Sequence, residues 1–370
     1  MKDRTRTKKV LVVNPYTGGG GAGAASAFLC SLLRDKVADC DVVSVSPEPR
    51  AYKHLGILRY AIQYRHLLPR LRQNSDVDIA IFQGLFNLCS VFALRLAKNN
   101  NIRIILLLHG DACPDVRNIF AVKSGIIKWI AWQVVCKRIL RTADTIVAGS
   151  EFEANSVRRV VDNSRIKIIP MISVDNDHSW SENYTGRYFS LKDQRYALYL
   201  GRLSREKNIE LLIRCWERIK ATGKEAVLVI AGEADNSRYR EKLIGEINKR
   251  GLAESVIFTG WVDGNEKRFL IRNAMCVLVP SIRESFCNVV LEAISSGTYA
   301  VFSKGVPWQK IAGTAGVCLG FDEGEWVMAI EHYCCRREKL RIADHIRETI
   351  VADYTVARIR ALWEEVIGSS

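Results

Sequence analysis

Short apolar runs alternate with longer amphipathic segments along the whole chain of 370 residues. In the first half the runs are nearly unbroken by polar residues, as in strands that are buried on both faces of a parallel sheet. The predicted strands there are 10–13, 79–82, 102–108, 145–148 and 166–169. Helices are predicted between them, over 23–37, 88–98, 126–141 and 151–161. This alternation predicts a parallel α/β domain.

The same alternation resumes after a polar stretch that is rich in Asp, Asn, Ser and Tyr. Its predicted strands are 196–200, 227–231, 256–258, 275–279 and 298–302. Its predicted helices are 208–220, 238–250, 286–296 and 324–337. We therefore predict two doubly wound, Rossmann-like α/β domains, residues 1–175 and 196–354, with a linker over 176–195. Two such domains that face each other would bind a ligand in a cleft at the carboxyl ends of their strands.

The excess positive charge lies almost entirely in the first half. The chain carries 54 Lys and Arg against 40 Asp and Glu, a net charge of +14. Residues 1–170 hold 26 basic and 13 acidic residues, or +13, which leaves 28 and 27, or +1, for the rest. This asymmetry favours a polyanionic partner for the first half, either a membrane surface or a nucleic acid.

Two segments of the first half, 50–72 and 119–141, combine basic and aromatic residues and contain no acidic one. Helices of this composition lie on anionic bilayers, although an ordinary packed helix with a basic face is the alternative. The predicted membrane-contact residues are Arg59, Arg65, Arg70, Arg72, Lys123, Lys128, Trp129 and Trp132. Neither a secretory signal nor a membrane span is predicted, so we expect a cytoplasmic protein at the inner face of the membrane.

Two basic residues follow the first predicted strand of the second half. Arg202 comes directly after this strand, and Lys207 precedes the next helix. Strand ends and helix starts are where phosphates bind in such sheets, and Arg and Lys are the donors that suit them. The alternative is a solvated basic turn in which these cations pair with Glu206.

Two carboxylates near a later helix complete the candidate site. Glu284 and Glu292 are eight residues apart, about 12 Å if the segment were helical throughout. This span is close to that between the sugar and the ribose of a nucleoside diphosphate sugar. The backbone amides of Ser285 to Asn288 lie between them, at the positive end of the helix dipole. The alternative for Glu292 is a surface position, which its apolar neighbours disfavour.

The remaining candidates lie in the first half. Gly19 and Gly20 belong to a glycine run that matches G-x-G-x-x-G only weakly, because Pro15-Tyr16-Thr17 separates it from its strand. A loop whose amides approach the donor phosphates or the acceptor is the preferred interpretation, and a plain turn is the alternative. His109 follows the most apolar strand and is expected to face the cleft. The D-x-D pairs at 76–78 and 175–177 are interpreted as structural, so no metal or cofactor is predicted.

Taken in order, these motifs resemble glycosyltransferase family 4, whose members have the GT-B fold. The resemblance rests on Gly201-Arg202-Leu203, Glu206-Lys207-Asn208, Ala231-Gly232, Phe258-Thr259-Gly260-Trp261-Val262, Glu284-Ser285-Phe286, Leu291-Glu292-Ala293 and Gly297. It implies two Rossmann-like domains that face a cleft, and a C-terminal helix, 355–370, that crosses back onto the first domain. It also implies sugar transfer with retention of the anomeric configuration and without a metal ion.

The resemblance also implies a role for each site residue. Arg202 and Lys207 would bind the donor diphosphate, Glu292 the ribose hydroxyls and Glu284 the transferred sugar. The other implied donor-site residues are Ser285, Phe286, Cys287 and Asn288 beside the diphosphate, and Gly260, Trp261 and Val262 at the nucleobase. His109 matches a cleft histidine near the donor sugar, which makes Glu284, His109, Arg202 and Lys207 the predicted catalytic group. Ser285 and Cys287 depart from the family, which usually has Gly at both positions.

The expected function is transfer from a nucleotide sugar to a glycan or lipid-linked acceptor, in the synthesis of cell-surface polysaccharide or lipopolysaccharide. Three alternatives stay open. Another GT-B protein, such as a sugar-nucleotide epimerase, would need no acceptor. An inactive binding relative is consistent with the departures at Ser285 and Cys287. A nucleic-acid-binding protein would account for the basic first half, but the chain contains no nucleic-acid-binding module, so this partner is not expected.

Overall fold

The computed structural model describes residues 8–13, 21–36, 40–45, 77–84, 101–109, 132–174, 185–234, 236–262 and 264–368. The chain divides into two compact units. One comprises Met1–Ser173 with Val356–Ser370, and the other comprises Val174–Thr355. In the part of the chain that is described, each unit is built on a six-stranded parallel sheet. The predicted fold class, two Rossmann-like α/β domains, is confirmed.

The first unit has its strands in the order β2-β1-β3-β4-β5-β6. They are β1 (Lys8–Val13), β2 (Cys40–Val45), β3 (Ile79–Gln83), β4 (Arg103–Leu107), β5 (Thr145–Ala148) and β6 (Ile166–Ile168). Its helices include α1 (Gly21–Lys36), α2 (Lys137–Thr142) and α3 (Glu151–Val157). A π-helical turn, Trp132–Cys136, leads into α2. The predicted helix over 88–98 lies outside the described residues.

The last helix of the chain, α10 (Val356–Gly368), belongs to the first unit. Its apolar face is buried in the same core as residues of β1 and α1, with Trp363 only 1% exposed. Lys8 donates a hydrogen bond through Nζ to the carbonyl oxygen of Ile367 at 2.7 Å. Lys167 and Glu365 form an ion pair at 2.9 Å. The final helix is therefore part of the core of the first unit rather than a tail on its surface.

The second unit has its strands in the order β12-β11-β10-β7-β8-β9. They are β7 (Tyr196–Leu200), β8 (Val227–Ala231), β9 (Val256–Gly260), β10 (Cys276–Val279), β11 (Ala300–Ser303) and β12 (Gly316–Leu319). Its helices are α4 (Ile209–Ala221), α5 (Ser237–Lys249), α6 (Gly264–Asn273), α7 (Asn288–Ser295), α8 (Glu323–Cys334) and α9 (Asp344–Val351). Strands β7 and β10 lie at the centre of this sheet, where the order of connection reverses.

The structure adds elements that the apolar pattern did not predict. Helix α6 buries three consecutive residues, Phe269, Leu270 and Ile271, in an otherwise charged segment. Strand β12 is four residues long and begins with a glycine. Its run of apolar residues is therefore too short to distinguish a strand from a loop in the sequence. The predicted helix over 286–296 begins only at Asn288, because Cys287 is in the left-handed conformation and cannot extend it. No helix among the described residues is long and apolar enough to cross a bilayer.

We expect Trp363→Ala to lower the free energy of unfolding by about 3–5 kcal/mol, since it empties a large, fully buried position. Urea denaturation followed by circular dichroism measures this change in the free energy of unfolding. Glu364→Ala is the matched control, because the neighbouring side chain is exposed. Equal stability of the two variants would contradict a core position for α10.

Candidate functional site

The predicted donor residues gather where the strand order of the second unit reverses. Strands β7 and β10 are neighbours. From β7 the chain continues to β8 and β9 at one edge of the sheet, and from β10 it continues to β11 and β12 at the other edge. In open parallel sheets such a reversal leaves a crevice at the carboxyl ends of the strands. The loop after β7 carries Arg202 and Lys207, and the loop after β10 carries Glu284.

The loop after β7 leaves its strand through a glycine and passes close to the end of β8. A Cβ atom on Gly232 would lie 1.9 Å from the carbonyl oxygen of Gly201, so only glycine fits at position 232. The loop then makes a 3₁₀ turn, Arg205–Lys207, and Asn208 adopts the left-handed conformation (φ 53°) before α4 begins. This turn directs Lys207 toward the neighbouring loop.

Lys207 and Glu284 form a partly buried ion pair. The Nζ atom of Lys207 lies 2.5 Å from Oε1 of Glu284, and the two side chains are 19% and 14% exposed. The hydroxyl of Ser281 donates to the same carboxylate oxygen at 2.7 Å. Oε1 therefore accepts two hydrogen bonds, and among the described residues none is made to Oε2. The carboxylate is held in one orientation with an oxygen left to accept a substrate hydroxyl.

Main-chain hydrogen bonds tie the loop after β10 to the loop after β7 on one side and to the segment after β11 on the other. The amide of Ile282 donates to the carbonyl oxygen of Glu206 at 2.8 Å, and the amide of Glu284 donates to the carbonyl oxygen of Gly305 at 2.9 Å. A Cβ atom on Gly305 would lie 2.1 Å from the carbonyl oxygen of Ile282, so the chain can approach this closely only at a glycine. The position of Glu284 is thus fixed by backbone contacts from two sides.

Cys287 ends this loop and caps α7. Its backbone is left-handed (φ 70°, ψ 77°), a conformation that favours glycine. Burial raises the pKa of the Cys287 thiol, and the nearby carboxylate of Glu284 adds to the effect, so the side chain stays a neutral thiol. The amide of Val290 donates to the carbonyl oxygen of Cys287 at 3.1 Å. The amides before it lie at the positive end of the helix dipole, where the sequence predicts an anion site.

The other predicted charged residues have partners of their own. Glu292, in the second turn of α7, accepts a hydrogen bond from Lys267 at 2.9 Å. Arg202 is 58% exposed and pairs with Glu206 at 2.9 Å. Neither Lys267 nor Ser281 is predicted from the sequence, because a spacing along the chain does not show which side chains meet across loops.

The predicted nucleobase segment follows β9 directly. Gly260 has a φ of 73°, and its carbonyl oxygen accepts from the amide of Gly232 at 2.8 Å. Trp261 is 51% exposed, whereas Val262 is buried. The segment therefore joins the end of β9 to the end of β8 and presents one large aromatic side chain to solvent.

His109 lies in the first unit, after β4. It has a φ of 46°, and its Nε2 atom is 2.7 Å from Oε1 of Gln83. Gln83 in turn donates through Nε2 to the hydroxyl of Ser26 at 2.9 Å. Because an amide oxygen only accepts, Nε2 of His109 is the protonated nitrogen. Burial lowers the pKa of His109 to about 4, so at neutral pH the ring is an uncharged hydrogen-bonding group.

Most of the predicted first-unit site falls outside the described residues. This holds for Gly19, Gly20 and all the predicted membrane-contact residues except Trp132. Trp132 itself is 7% exposed and belongs to the core beside residues of β4 and β5. Its predicted membrane contact is therefore wrong, since a core indole is not available to a bilayer.

Two substitutions of Cys287 test its left-handed backbone conformation. Cys287→Gly and Cys287→Ala both remove the thiol, but only alanine keeps a Cβ atom in the strained conformation. We expect the glycine variant to be more stable by about 1 kcal/mol. Thermal unfolding of both variants measures this difference.

The order should reverse at Ser295, which lies inside α7. There we expect the alanine variant to be the more stable by about 1 kcal/mol. The same order at both positions would contradict the left-handed assignment.

Comparisons with known proteins agree with the two-unit structure. A family model described as Glycosyltransferase Family 4 matches residues 19–171, and one described as Glycosyl transferases group 1 matches residues 182–317. An uncharacterised glycosyltransferase of Methanocaldococcus jannaschii is 37% identical over 131 residues, 35% of this chain and 33% of the relative. A lipopolysaccharide 1,2-N-acetylglucosaminetransferase of Salmonella typhimurium is 24% identical over 185 residues, 47% of this chain and 48% of the relative.

Solved structures match over nearly the whole chain. Sucrose-phosphate synthase from Thermosynechococcus elongatus has a TM-score of 0.77 at 17% identity, and covers 98% of this chain and 100% of its own. HepE of Anabaena, in complex with UDP-glucose, has a TM-score of 0.72 at 16% identity with the same coverage. The chain spans about a third to a half of the length of these two curated relatives. The two family models together cover most of the chain, which belongs to glycosyltransferase family 4.

Proposed function

We propose that this chain transfers a sugar from a nucleoside diphosphate sugar to a glycan or lipid-linked acceptor, with retention of the anomeric configuration. One observation carries the proposal: Lys207, Glu284 and the first turn of α7 meet at the point where the strand order reverses. This arrangement offers positive charge to a diphosphate beside a carboxylate that can accept a sugar hydroxyl. The UDP-glucose complex of HepE supports a nucleotide-sugar donor.

The chemistry follows from where charge develops. Breaking the bond between the anomeric carbon and the diphosphate leaves negative charge on the phosphate oxygens. We propose that Lys207, Arg202 and the first amides of α7 stabilise this charge. Lys207 has two further N–H donors beside the one on Glu284. The acceptor hydroxyl attacks from the face that the diphosphate leaves, and its proton passes to the departing phosphate. This route needs neither a strong base nor a metal ion, and we propose that activity is independent of metals.

The two carboxylates would hold the ends of the donor. Glu284, fixed through Oε1, would accept a hydroxyl of the transferred sugar through Oε2. Glu292, held by Lys267 through Oε1, would accept the ribose hydroxyls through its other oxygen. We propose that the nucleobase lies along Gly260 to Val262 and that His109 contacts the donor sugar as a neutral group.

The acceptor is proposed from the charge of the chain and from its relatives. The Salmonella relative and a solved outer core galactosyltransferase are named for lipopolysaccharide. The excess of +13 in residues 1–170 suits an anionic acceptor or membrane. We therefore propose synthesis of a cell-surface polysaccharide or lipopolysaccharide at the inner face of the membrane. A GT-B epimerase is the competing function, and it would turn over its sugar nucleotide without an acceptor.

Lys207→Met tests the diphosphate role, because methionine keeps most of the apolar stem and removes the charge. We expect kcat for transfer of labelled sugar to fall by about 10²- to 10³-fold. Lys224→Met is the matched control, since Lys224 forms an ion pair of similar length, 2.8 Å, with Glu331 on α8. An unchanged kcat in a folded Lys207→Met variant would rule out this role.

Membrane contact is tested by flotation with vesicles. We expect the full chain to float with phosphatidylglycerol vesicles at low salt and to be released at high salt, because surface charges are screened. Replacing Arg65, Arg70 and Arg72 by Gln should weaken binding on the order of 100-fold, at about 1 kcal/mol per charge. The control replaces three exposed basic residues of the second unit, Lys220, Lys249 and Arg337. Equal weakening by both triple variants would mean that binding is a general charge effect.

A further inference from the structure

Three aromatic rings behind the donor loop are not used by the proposed chemistry. Here the donor loop is residues 281–287, between β10 and α7. Phe286 lies in this loop, Trp308 follows β11, and Tyr354 precedes α10. The ring centroids are 5.4 Å apart for Phe286 and Trp308, 5.7 Å for Phe286 and Tyr354, and 5.5 Å for Trp308 and Tyr354. Each ring therefore contacts the other two, at separations that favour aromatic pairs.

Trp308 holds the backbone of the donor loop directly. Its side chain is 1% exposed, and its indole N–H donates to the carbonyl oxygen of Phe286 at 2.6 Å. Phe286 stands between Glu284 and Cys287, so this hydrogen bond fixes the backbone that presents the carboxylate and the first amides of α7. A displacement of this carbonyl group would move both.

Tyr354 connects the same cluster to the two places where the chain passes between the units. The carbonyl oxygen of Tyr354 accepts a hydrogen bond from the amide of Val174 at 2.9 Å. Val174 is the first residue of the second unit, and Thr355, next to Tyr354, is its last. The outgoing and returning segments are thus joined to each other at the residue whose ring contacts Phe286.

Lys310 fixes the ring of Tyr354 from the other side. Its Nζ atom lies 3.2 Å from the phenolic oxygen of Tyr354, and 5.7 Å and 5.4 Å from the ring centroids of Trp308 and Tyr354. Cation–π contacts of this kind stabilise the arrangement of the rings, which meet edge-on or tilted. The tyrosine ring is therefore held against the donor loop by both packing and charge.

We propose that Trp308 is a positioning residue for the donor loop, and that through Tyr354 it couples this loop to both chain crossings between the units. Nucleotide binding at Lys207 and the start of α7, directly after this loop, then changes the stability of the crossings. The inference rests on the proposed function, because it takes the donor to bind at this loop.

Trp326 provides a matched control. It is also fully buried, in the second unit, and its indole N–H donates to a main-chain carbonyl oxygen, that of Gly320, at 2.9 Å. It lies on α8 and is not part of the aromatic cluster. Trp308→Phe and Trp326→Phe each remove one buried indole hydrogen bond, so we expect similar losses of melting temperature. Only Trp308→Phe should lower kcat, on the order of 10- to 100-fold for a displaced reacting group.

The coupling is measured by amide hydrogen exchange of the full chain with and without nucleotide. The probe is whichever of UDP, GDP and ADP raises the melting temperature most. We expect it to protect peptides containing Val174 or Tyr354 in the unchanged protein and in Trp326→Phe. The protection should be lost in Trp308→Phe and Tyr354→Leu, and kept in Tyr354→Phe, which retains the ring.

The outcomes separate this inference from the proposed function. If the nucleotide binds but protects neither crossing, the coupling is wrong while donor binding stands. The same conclusion follows if Trp326→Phe loses the protection, and its kcat falls, as much as in Trp308→Phe. If none of the three nucleotides binds, the proposed function fails and the coupling fails with it.

Discussion

The candidate site depends on the close approach of two loops at the centre of one parallel sheet. The amide of Ile282 donates to the carbonyl oxygen of Glu206, and the Nζ atom of Lys207 lies 2.5 Å from Oε1 of Glu284, 77 positions further along the chain. Each loop also packs closely on its other neighbour through a glycine. Gly232, after β8, lies against Gly201, and Gly305, after β11, lies against Ile282, and a Cβ atom at either glycine would overlap the neighbouring carbonyl oxygen.

This ion pair is poor evidence for stability. Removing a lysine and a glutamate from water costs several kcal/mol, and the attraction between them repays that cost only when further hydrogen bonds are made. Here Ser281 supplies one such bond to the shared oxygen. A hydrophobic pair would pack as well, so the charges are better explained by what they present. The pair offers a cation and a carboxylate oxygen in fixed orientation, with little reorganisation left for the reaction.

The sequence predicted the strands and the order of the motifs well, because buried parallel strands form apolar runs and the loops at their carboxyl ends carry the polar residues. It therefore predicted that Lys207 and Glu284 belong to one site, but not that they form an ion pair. It did not identify Ser281 or Lys267 as their partners, because side-chain pairing across loops depends on backbone geometry rather than on spacing. The error at Trp132 has a similar origin. A tryptophan among basic residues has the composition of a membrane-facing helix, and only the packing of the π-helical turn Trp132–Cys136 against the sheet shows it to be buried.

Donor recognition and surface charge are assigned to different units of this chain. The described residues proposed for the diphosphate, the ribose and the nucleobase all lie within Val174–Thr355, which carries almost no net charge. The excess of +13 lies in residues 1–170, all of which belong to the first unit. A strongly basic surface around the donor loops would attract any polyanion to the diphosphate site. With the positive charge concentrated in the other unit, the diphosphate is proposed to bind to a few placed donors, and the remaining charge is proposed to serve an anionic acceptor or membrane.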